Sequence, residues 1–297
     1  MVMKIDVPLE RRVVPVAPSE ERWREMSAIE RERFIVSVNE ALSDPLVAMS
    51  EGRPHKKAKS RALDMLGLHF RALGRRIYLA EELSVIYPNA VPFVPDVLAV
   101  LDVDEPEDDQ RMSWVVQEEG KGLDWVLEVI WAGNRDKDLV DNVHRYAMLG
   151  IPEYFAYDKK QERIFGYRLI PETRRYQPIL AQAGMYRSNV LGIDLAIVDG
   201  VLKFFQGAAE LYDTAHLIRR LEGMVAHLEK KNDEANREAE RGRASMRRAI
   251  VAILAARGVH CSDEARLALD DCTSMDILDK WHDRALSATS EADVFGK

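Results

Sequence analysis

The stretch that decides the fold runs from Pro95 to Asp158 and contains three blocks. They are P-D-V-L-A-V (95–100), W-V-L-E-V-I (125–130) and R-D-K-D-L-V-D-N-V-H-R-Y-A-M-L-G-I-P-E-Y-F-A-Y-D (135–158). The first two are short and rich in β-branched and apolar residues, which predicts strands. Asp96 enters the first strand and Glu128 lies inside the second, so one sheet could bring both carboxylates to a shared metal ion. That arrangement suits phosphodiester cleavage.

These two acids also have a structural interpretation. A carboxylate inside a strand is costly to bury unless it is paired, hydrogen-bonded or bound to a cation. Glu128 could instead face water, because alternate strand residues point to opposite faces. Asp96, which follows a proline, could be a turn acid at the strand entry. Spacing alone favours these structural explanations, so the neighbouring sequence has to decide.

Composition is that of a globular protein, but charge is unevenly distributed. The chain has 297 residues, of which 47% are hydrophobic and 31% charged, with a net charge of −8. This length predicts one or two domains. Residues 50–76 carry eight basic side chains against two acids, whereas residues 77–130 carry thirteen acids against two basic side chains. The basic segment is either a phosphate-binding surface or a solvated helix face.

Targeting signals and disulfides are not expected. The N-terminus lacks an apolar leader, and the longest apolar helical run, 249–256, is too short to span a membrane. We therefore expect a cytoplasmic protein without membrane contact. Cys261 and Cys272 fit neither a disulfide framework nor a zinc spacing and are interpreted as ordinary thiols.

Periodicity and capping residues predict the remaining elements. Ser19 and Ser27 are predicted to cap two short helices, the second ending near Leu42. A longer helix with its lysines facing solvent should end at Gly74. Further predictions are strands at 77–83, 94–103, 125–130 and 154–157, a helix at 137–149, a hairpin partner at 163–170, and small strands at 176–180, 198 and 202–205 that complete the same sheet.

The last third of the chain is predicted to be helical. Leu217, Leu221, Met224 and Leu228 form two heptads of a coiled-coil seam, but polar residues follow where the seam would continue. This helix is compatible with a homodimer and, equally, with packing on its own domain. Helices at 250–256 and 267–281 should form a terminal cap.

An ordered set of residues resembles a known family. Pro95-Asp96, Glu128-Val129, Asp138, Tyr146 and G-I-P-E-Y-F-A-Y-D (150–158) resemble the Uma-two-type putative restriction endonuclease family of the PD-(D/E)xK nuclease superfamily. The resemblance implies a mixed α/β fold with a restriction-endonuclease-like core and a C-terminal helical extension. It divides the chain into an N-terminal arm with short helices (1–50), a nuclease-like domain (51–207) and a charged helical tail with a terminal cap (208–297).

The resemblance also implies a site and a cofactor. Asp96 and Glu128 match the two acidic metal ligands of the family, with the carbonyl of Val129 as a further ligand. The implied cofactor is Mg²⁺, with Mn²⁺ as a substitute, and the implied substrate is nucleic acid, with DNA expected. His55, Lys56, Lys57 and Lys59 are the expected nucleic-acid contacts on the basic helix.

The chain departs from the motif at its lysine. The superfamily places a lysine two residues after the second acid, where this chain has Ile130, and relatives place one four residues before the tyrosine, where this chain has Asn142. Asn142 could hold a water molecule, and Lys137 or Lys121 could reach the site from a non-matching position. Two hypotheses follow: an Mg²⁺-dependent DNA endonuclease that uses these residues, or a catalytically impaired relative that acts as a nucleic-acid-binding or assembly module.

Overall fold

The computed structural model describes residues 13–43, 53–104, 111–131 and 135–296. Three segments fall wholly or partly outside the described residues: the start of the N-terminal arm, a loop that the sequence predicts at 45–54, and a turn or solvated acidic loop that it predicts at 104–109. Contacts divide the chain into two compact units, the first ending at Leu217 and the second beginning at Ile218. In the part of the chain that is described, no helix is long and apolar enough to cross a membrane.

The elements of the first unit follow in chain order. The helices are α1 (Glu20–Glu25), α2 (Ala28–Leu42), α3 (Arg53–Leu73), α4 (Val116–Glu119) and α5 (Asn142–Leu149). The strands are β1 (Ile77–Glu81), β2 (Ser84–Ile86), β3 (Val97–Leu101), β4 (Ser113–Val115), β5 (Trp125–Ile130), β6 (Glu153–Asp158), β7 (Arg163–Ile170), β8 (Arg175–Ile179), β9 (Tyr186–Ser188), β10 (Ile193–Val198), β11 (Val201–Gln206) and β12 (Ala209–Glu210).

Both predicted N-terminal caps are confirmed. The Ser19 side chain accepts a hydrogen bond from the Arg22 amide at the start of α1. Ser27 and Glu30 form a capping box at the start of α2, which satisfies amides that the first helical turn leaves without partners. Trp23 of α1 is buried against Val38 of α2.

The central sheet is mixed, as predicted. Its strand order is β1-β3-β5-β6-β7-β8, in which β5 and β6 are parallel and the other neighbours are antiparallel. One face packs against α3 through Ala62, Leu66 and Phe70, and the other packs against Tyr146 of α5. Because both faces are covered, each residue of β5 is buried.

The connection between the two parallel strands contains an unexpected turn. The predicted helix 137–149 has the predicted extent and ends at Gly150, which has a φ of 79° that glycine adopts without strain. Its first part, Lys137–Asp141, is a π-helical turn rather than an α-helix. The Tyr154 hydroxyl donates to the Asp138 carbonyl over 2.8 Å and so occupies a backbone acceptor of this turn. Such turns recur at functional sites.

The prediction that all later strands complete the same sheet was wrong. β8 joins the central sheet, but β9 to β12 form a second sheet with the order β12-β11-β10-β9. The apolar face of this second sheet, with Ile193, Leu195, Leu202 and Phe204, packs into the core beneath α3. Because its apolar face is buried there, the second sheet forms an additional layer of the domain and does not extend the edge of the central sheet. β2 and β4, which were not predicted as a pair, form a short parallel ladder.

The second unit is helical, as predicted. It contains most of α6 (Thr214–Ala256), followed by α7 (Asp263–Asp271), α8 (Met275–Ala285) and α9 (Glu291–Phe295). Ile250, Leu254, Leu269, Leu278 and Ala285 share its core. In α6, the seam residues Leu221, Met224 and Leu228 are exposed, and the two cysteines are free thiols.

Candidate active site

Asp96 lies where β3 begins, beside β5. The antiparallel register pairs Val97 with Leu127, so the residue before Val97 lies next to Glu128. The Asp96 Oδ2 atom accepts a hydrogen bond of 2.7 Å from the Val129 amide. Since the N–H and C=O of one strand residue point toward the same neighbour, the Val129 carbonyl lies on the Asp96 side of β5. The structure thus places Asp96 beside Val129 and opposite Glu128, the residues that the family resemblance implies as metal ligands.

Glu128 is buried in the centre of the sheet. Its side chain lies on the face that packs against α5, and the residue is only 4% exposed. The Tyr146 hydroxyl donates to its Oε1 atom over 2.6 Å, and the Asn142 Nδ2 atom lies 3.5 Å from the same oxygen. Glu128 therefore has fixed partners on its helix side.

Asp138 is a third acid at this site, and no chemical role was predicted for it from the sequence. Its Oδ1 atom accepts a hydrogen bond of 3.1 Å from Asn142 Nδ2. The signal was present in the sequence, because residues four apart lie on one face of a helix and Asp138 is four residues before Asn142. Asn142 thus contacts the Asp138 carboxylate and approaches that of Glu128.

Burial and neighbouring charges raise the pKa values of Glu128 and Asp138. Burial raises the pKa of Glu128 to about 8, and the charges of Asp96 and Asp138 add to the increase. Burial likewise raises the pKa of Asp138 to about 6, with a further contribution from Asp96. The Lys137 ammonium opposes both increases. The cluster therefore favours a bound cation or proton.

The start of α3 closes the other side of the site. His55 is buried, and its Nε2 atom lies 3.1 Å from Asp96 Oδ2. Lys59 is only 1% exposed, and its ammonium bonds to the Glu82 carboxylate and lies 3.6 Å from Asp96 Oδ1. The prediction that all lysines of this helix face solvent is wrong for Lys59, because position 59 continues the buried stripe of Ala62 and Leu66.

The other lysines predicted near the site differ in exposure and in position. Lys56 and Lys57 are exposed on α3, as a nucleic-acid contact requires. Lys137 is also exposed, and it acts on the acids through its charge. Lys121 is not at the site, because it forms an ion pair of 2.9 Å with Asp124 at the opposite end of β5.

The motif-lysine positions hold no positive charge. Ile130 lies on the same face of β5 as Glu128, where it packs in the apolar core. Asn142 is buried at the acids, so the side chain at this position faces the site as the family pattern implies.

The donor set suits a hard divalent cation. Carboxylate and carbonyl oxygens are the protein donors that Mg²⁺ prefers. Among the described residues, no group of three or more His, Cys, Asp and Glu side chains forms a ready metal cage. Mg²⁺ rarely uses such a cage, because it is usually held by one or two carboxylates together with water and substrate phosphate. Asp96, Glu128 and Val129 fit that mode of binding.

A family model and a solved structure are similar to parts of this chain. The model of the Uma2 family, described as putative restriction endonuclease, matches residues 39–197. A solved structure described as a putative nuclease belonging to DUF820 from Anabaena variabilis ATCC 29413 shares 14% identity at a TM-score of 0.38, covering 48% of this chain and 76% of its own. No curated protein matches the chain.

Proposed function

Because the chain belongs to the Uma2 family of putative restriction endonucleases, we propose that it is an Mg²⁺-dependent endonuclease that hydrolyses phosphodiester bonds in DNA. The observation that carries this proposal is the register of β3 and β5, which places Asp96 opposite Glu128. The Val129 amide holds the Asp96 carboxylate at 2.7 Å, and Tyr146 holds Glu128 at 2.6 Å. Two acids fixed by separate donors are preorganised to share one ion.

Mg²⁺, when bound, neutralises phosphate charge and makes a coordinated water more acidic. The two carboxylates and the Val129 carbonyl would hold it. In the overall reaction a water oxygen bonds to phosphorus, one P–O ester bond breaks, and the leaving oxygen takes a proton. His55 keeps Asp96 oriented, and Asn142, beside Asp138 and Glu128, can donate a hydrogen bond to a water molecule.

The exposed lysines of α3 supply a DNA contact in this proposal. Lys56 and Lys57 follow His55 directly and are exposed, whereas His55 itself is buried at the acids. Cationic side chains next to a cleavage site would hold the phosphate backbone without reading its sequence. The overall negative charge of the chain does not oppose this, since residues 50–76 carry eight basic side chains against two acids.

A second candidate function is supported by one observation, the neutral side chains at both motif-lysine positions. Ile130 is packed in the core and Asn142 carries no charge. A chain that had lost a preorganised cation would bind DNA through Lys56 and Lys57 but cleave it slowly or not at all.

Nicking of a supercoiled plasmid distinguishes the two functions. The wild-type protein is incubated with Mg²⁺, Mn²⁺ or EDTA, and the variants Asp96→Asn and Glu128→Gln are treated in the same way. The matched control is Asp141→Asn, which changes an exposed acid in the connection between β5 and β6. The endonuclease proposal expects metal-dependent nicking by the wild type and the control, and loss of nicking in both site variants. Nicking that survives in both site variants would reject it, and DNA binding without nicking would favour the second function.

A further inference from the structure

We propose that Lys59 of α3 is a catalytic residue, and that its ammonium supplies at the scissile phosphate the positive charge which the superfamily motif obtains from a lysine on the second strand. This inference rests on the proposed endonuclease function. Lys59 would take the role of the motif lysine, whose positions hold neutral residues in this chain. It lies on α3, which precedes both strands that carry the acids, β3 and β5.

The position of Lys59 carries the inference. Its ammonium lies 3.6 Å from Asp96 Oδ1, while Asp96 Oδ2 faces the Val129 amide and His55. The lysine therefore lies at one oxygen of the Asp96 carboxylate, and β5, the strand that contains Glu128, lies at the other oxygen. A phosphate bound at Asp96 would come within reach of the lysine without a change in the backbone.

The ammonium is also held in place before any substrate binds. A buried charge is costly unless it is paired, and Lys59 bonds to the Glu82 carboxylate in addition to approaching Asp96. Glu82 is half-exposed, which places the far side of this pair next to solvent. Fixed charge that needs no reorganisation during the reaction gives the largest stabilisation of a transition state.

Other lysines in the described ranges fit the role less well. Lys137 is exposed, and Lys121 is paired with Asp124 at the other end of β5. Lys56 and Lys57 lie on the solvent face of α3. Lys59 combines burial with a direct approach to a predicted metal ligand.

A structural role is the competing explanation, because Lys59 could serve only to neutralise Asp96 and Glu82. The two explanations differ in what happens to metal binding. A catalytic ammonium repels the ion, so its removal leaves the affinity for Mn²⁺ unchanged or increases it while cleavage is lost. A purely structural ammonium holds Asp96 in position, so its removal weakens Mn²⁺ binding and stability together with cleavage.

The experiment compares Lys59→Met with Lys160→Met, which changes an exposed lysine of the turn after β6, and with the double variant Lys59→Met/Asn142→Lys. Single-turnover cleavage of a DNA duplex, Mn²⁺ affinity by calorimetry and thermal unfolding are measured for each. We expect Lys59→Met to lose roughly 10²-fold in cleavage rate with Mn²⁺ affinity retained, and the double variant to recover part of the rate. Lys160→Met should keep the wild-type cleavage rate.

Each contrary result has a defined meaning. Wild-type cleavage by Lys59→Met would overturn the inference and leave the endonuclease proposal intact. Joint loss of Mn²⁺ binding and cleavage, with no recovery in the double variant, would overturn it in favour of the structural role. Absence of cleavage by the wild-type protein would overturn the endonuclease proposal and this inference with it.

Discussion

Asn142 donates a hydrogen bond to Asp138 over 3.1 Å, and the same Nδ2 atom lies 3.5 Å from the carboxylate of Glu128. The position that carries a lysine in the family pattern thus keeps its geometric place between two acids but lacks the charge. Two consequences follow. The neutral amide does not balance the negative charge of the acids. A metal ion or a lysine from another element has to balance that charge.

Replacing this amide by a carboxylate should make the site more dependent on metal. Asn142→Asp keeps the shape of the side chain but adds a fourth acid beside Glu128, Asp138 and Asp96. We expect a lower melting temperature in EDTA, because like charges repel in a buried site, and a larger gain in melting temperature on addition of Mn²⁺. Asp141→Asn is the control for a charge change in the same segment. An unchanged gain with Mn²⁺ would argue against the acids acting together.

The hydroxyl of Tyr146 should stabilise both the fold and the metal site. Tyr146→Phe removes the hydrogen bond of 2.6 Å to Glu128, and the loss should cost about 1–3 kcal/mol in unfolding free energy because a buried acceptor loses its donor. Urea denaturation measures this loss. Tyr176→Phe is the matched control, since it removes a hydroxyl bond of 2.8 Å to the Ile151 carbonyl. Both variants should lose stability, but a weaker Mn²⁺ affinity is expected only for Tyr146→Phe.

Stability of the metal-free protein should fall as pH rises. The folded protein raises the pKa of Glu128 to about 8 from 4.5 in the unfolded reference, so between these values the native state holds a proton that the unfolded chain has released. Unfolding then becomes more favourable with increasing pH. Melting temperatures in EDTA from pH 5 to 8 should decrease for the wild type and change less for Glu128→Gln. Mg²⁺ should flatten the wild-type curve, since it stabilises the ionised form; equal slopes for both proteins would contradict the assignment.

The exposed lysines should determine the salt dependence of DNA binding. Lys56→Gln/Lys57→Gln removes two predicted phosphate contacts, so the slope of log affinity against log salt should fall by roughly 2. Fluorescence anisotropy with a DNA duplex in Ca²⁺ measures binding without turnover. Lys160→Gln, at an exposed turn residue after β6, is the control. An unchanged slope in the double variant would remove α3 from the DNA contact surface.

Local sequence patterns predicted elements whose cause is local. The caps at Ser19 and Ser27, the strand Trp125–Ile130 and the hairpin strand Arg163–Ile170 agree with expectation because caps and apolar runs depend on neighbouring residues. The second sheet was missed, since strand propensity does not determine which sheet a strand joins.

The sequence predicted the part of the candidate site that follows from local patterns and missed the part that depends on tertiary packing. Asp96 and Glu128 could be paired from the order of the strands, but the location of Lys59 depends on tertiary packing. Its position on the apolar stripe of α3 was readable from its three- and seven-residue spacings to Ala62 and Leu66. The general expectation that a lysine faces solvent obscured that signal.

In the proposed site, Asp96 and Glu128 together hold one divalent ion. Titration of the protein with Mn²⁺, followed by electron paramagnetic resonance of the free ion, tests it most directly. We predict one ion bound per chain for the wild type and for Asp141→Asn, and loss of that ion in both Asp96→Asn and Glu128→Gln. Retention of the wild-type stoichiometry and affinity in either site variant would contradict the claim.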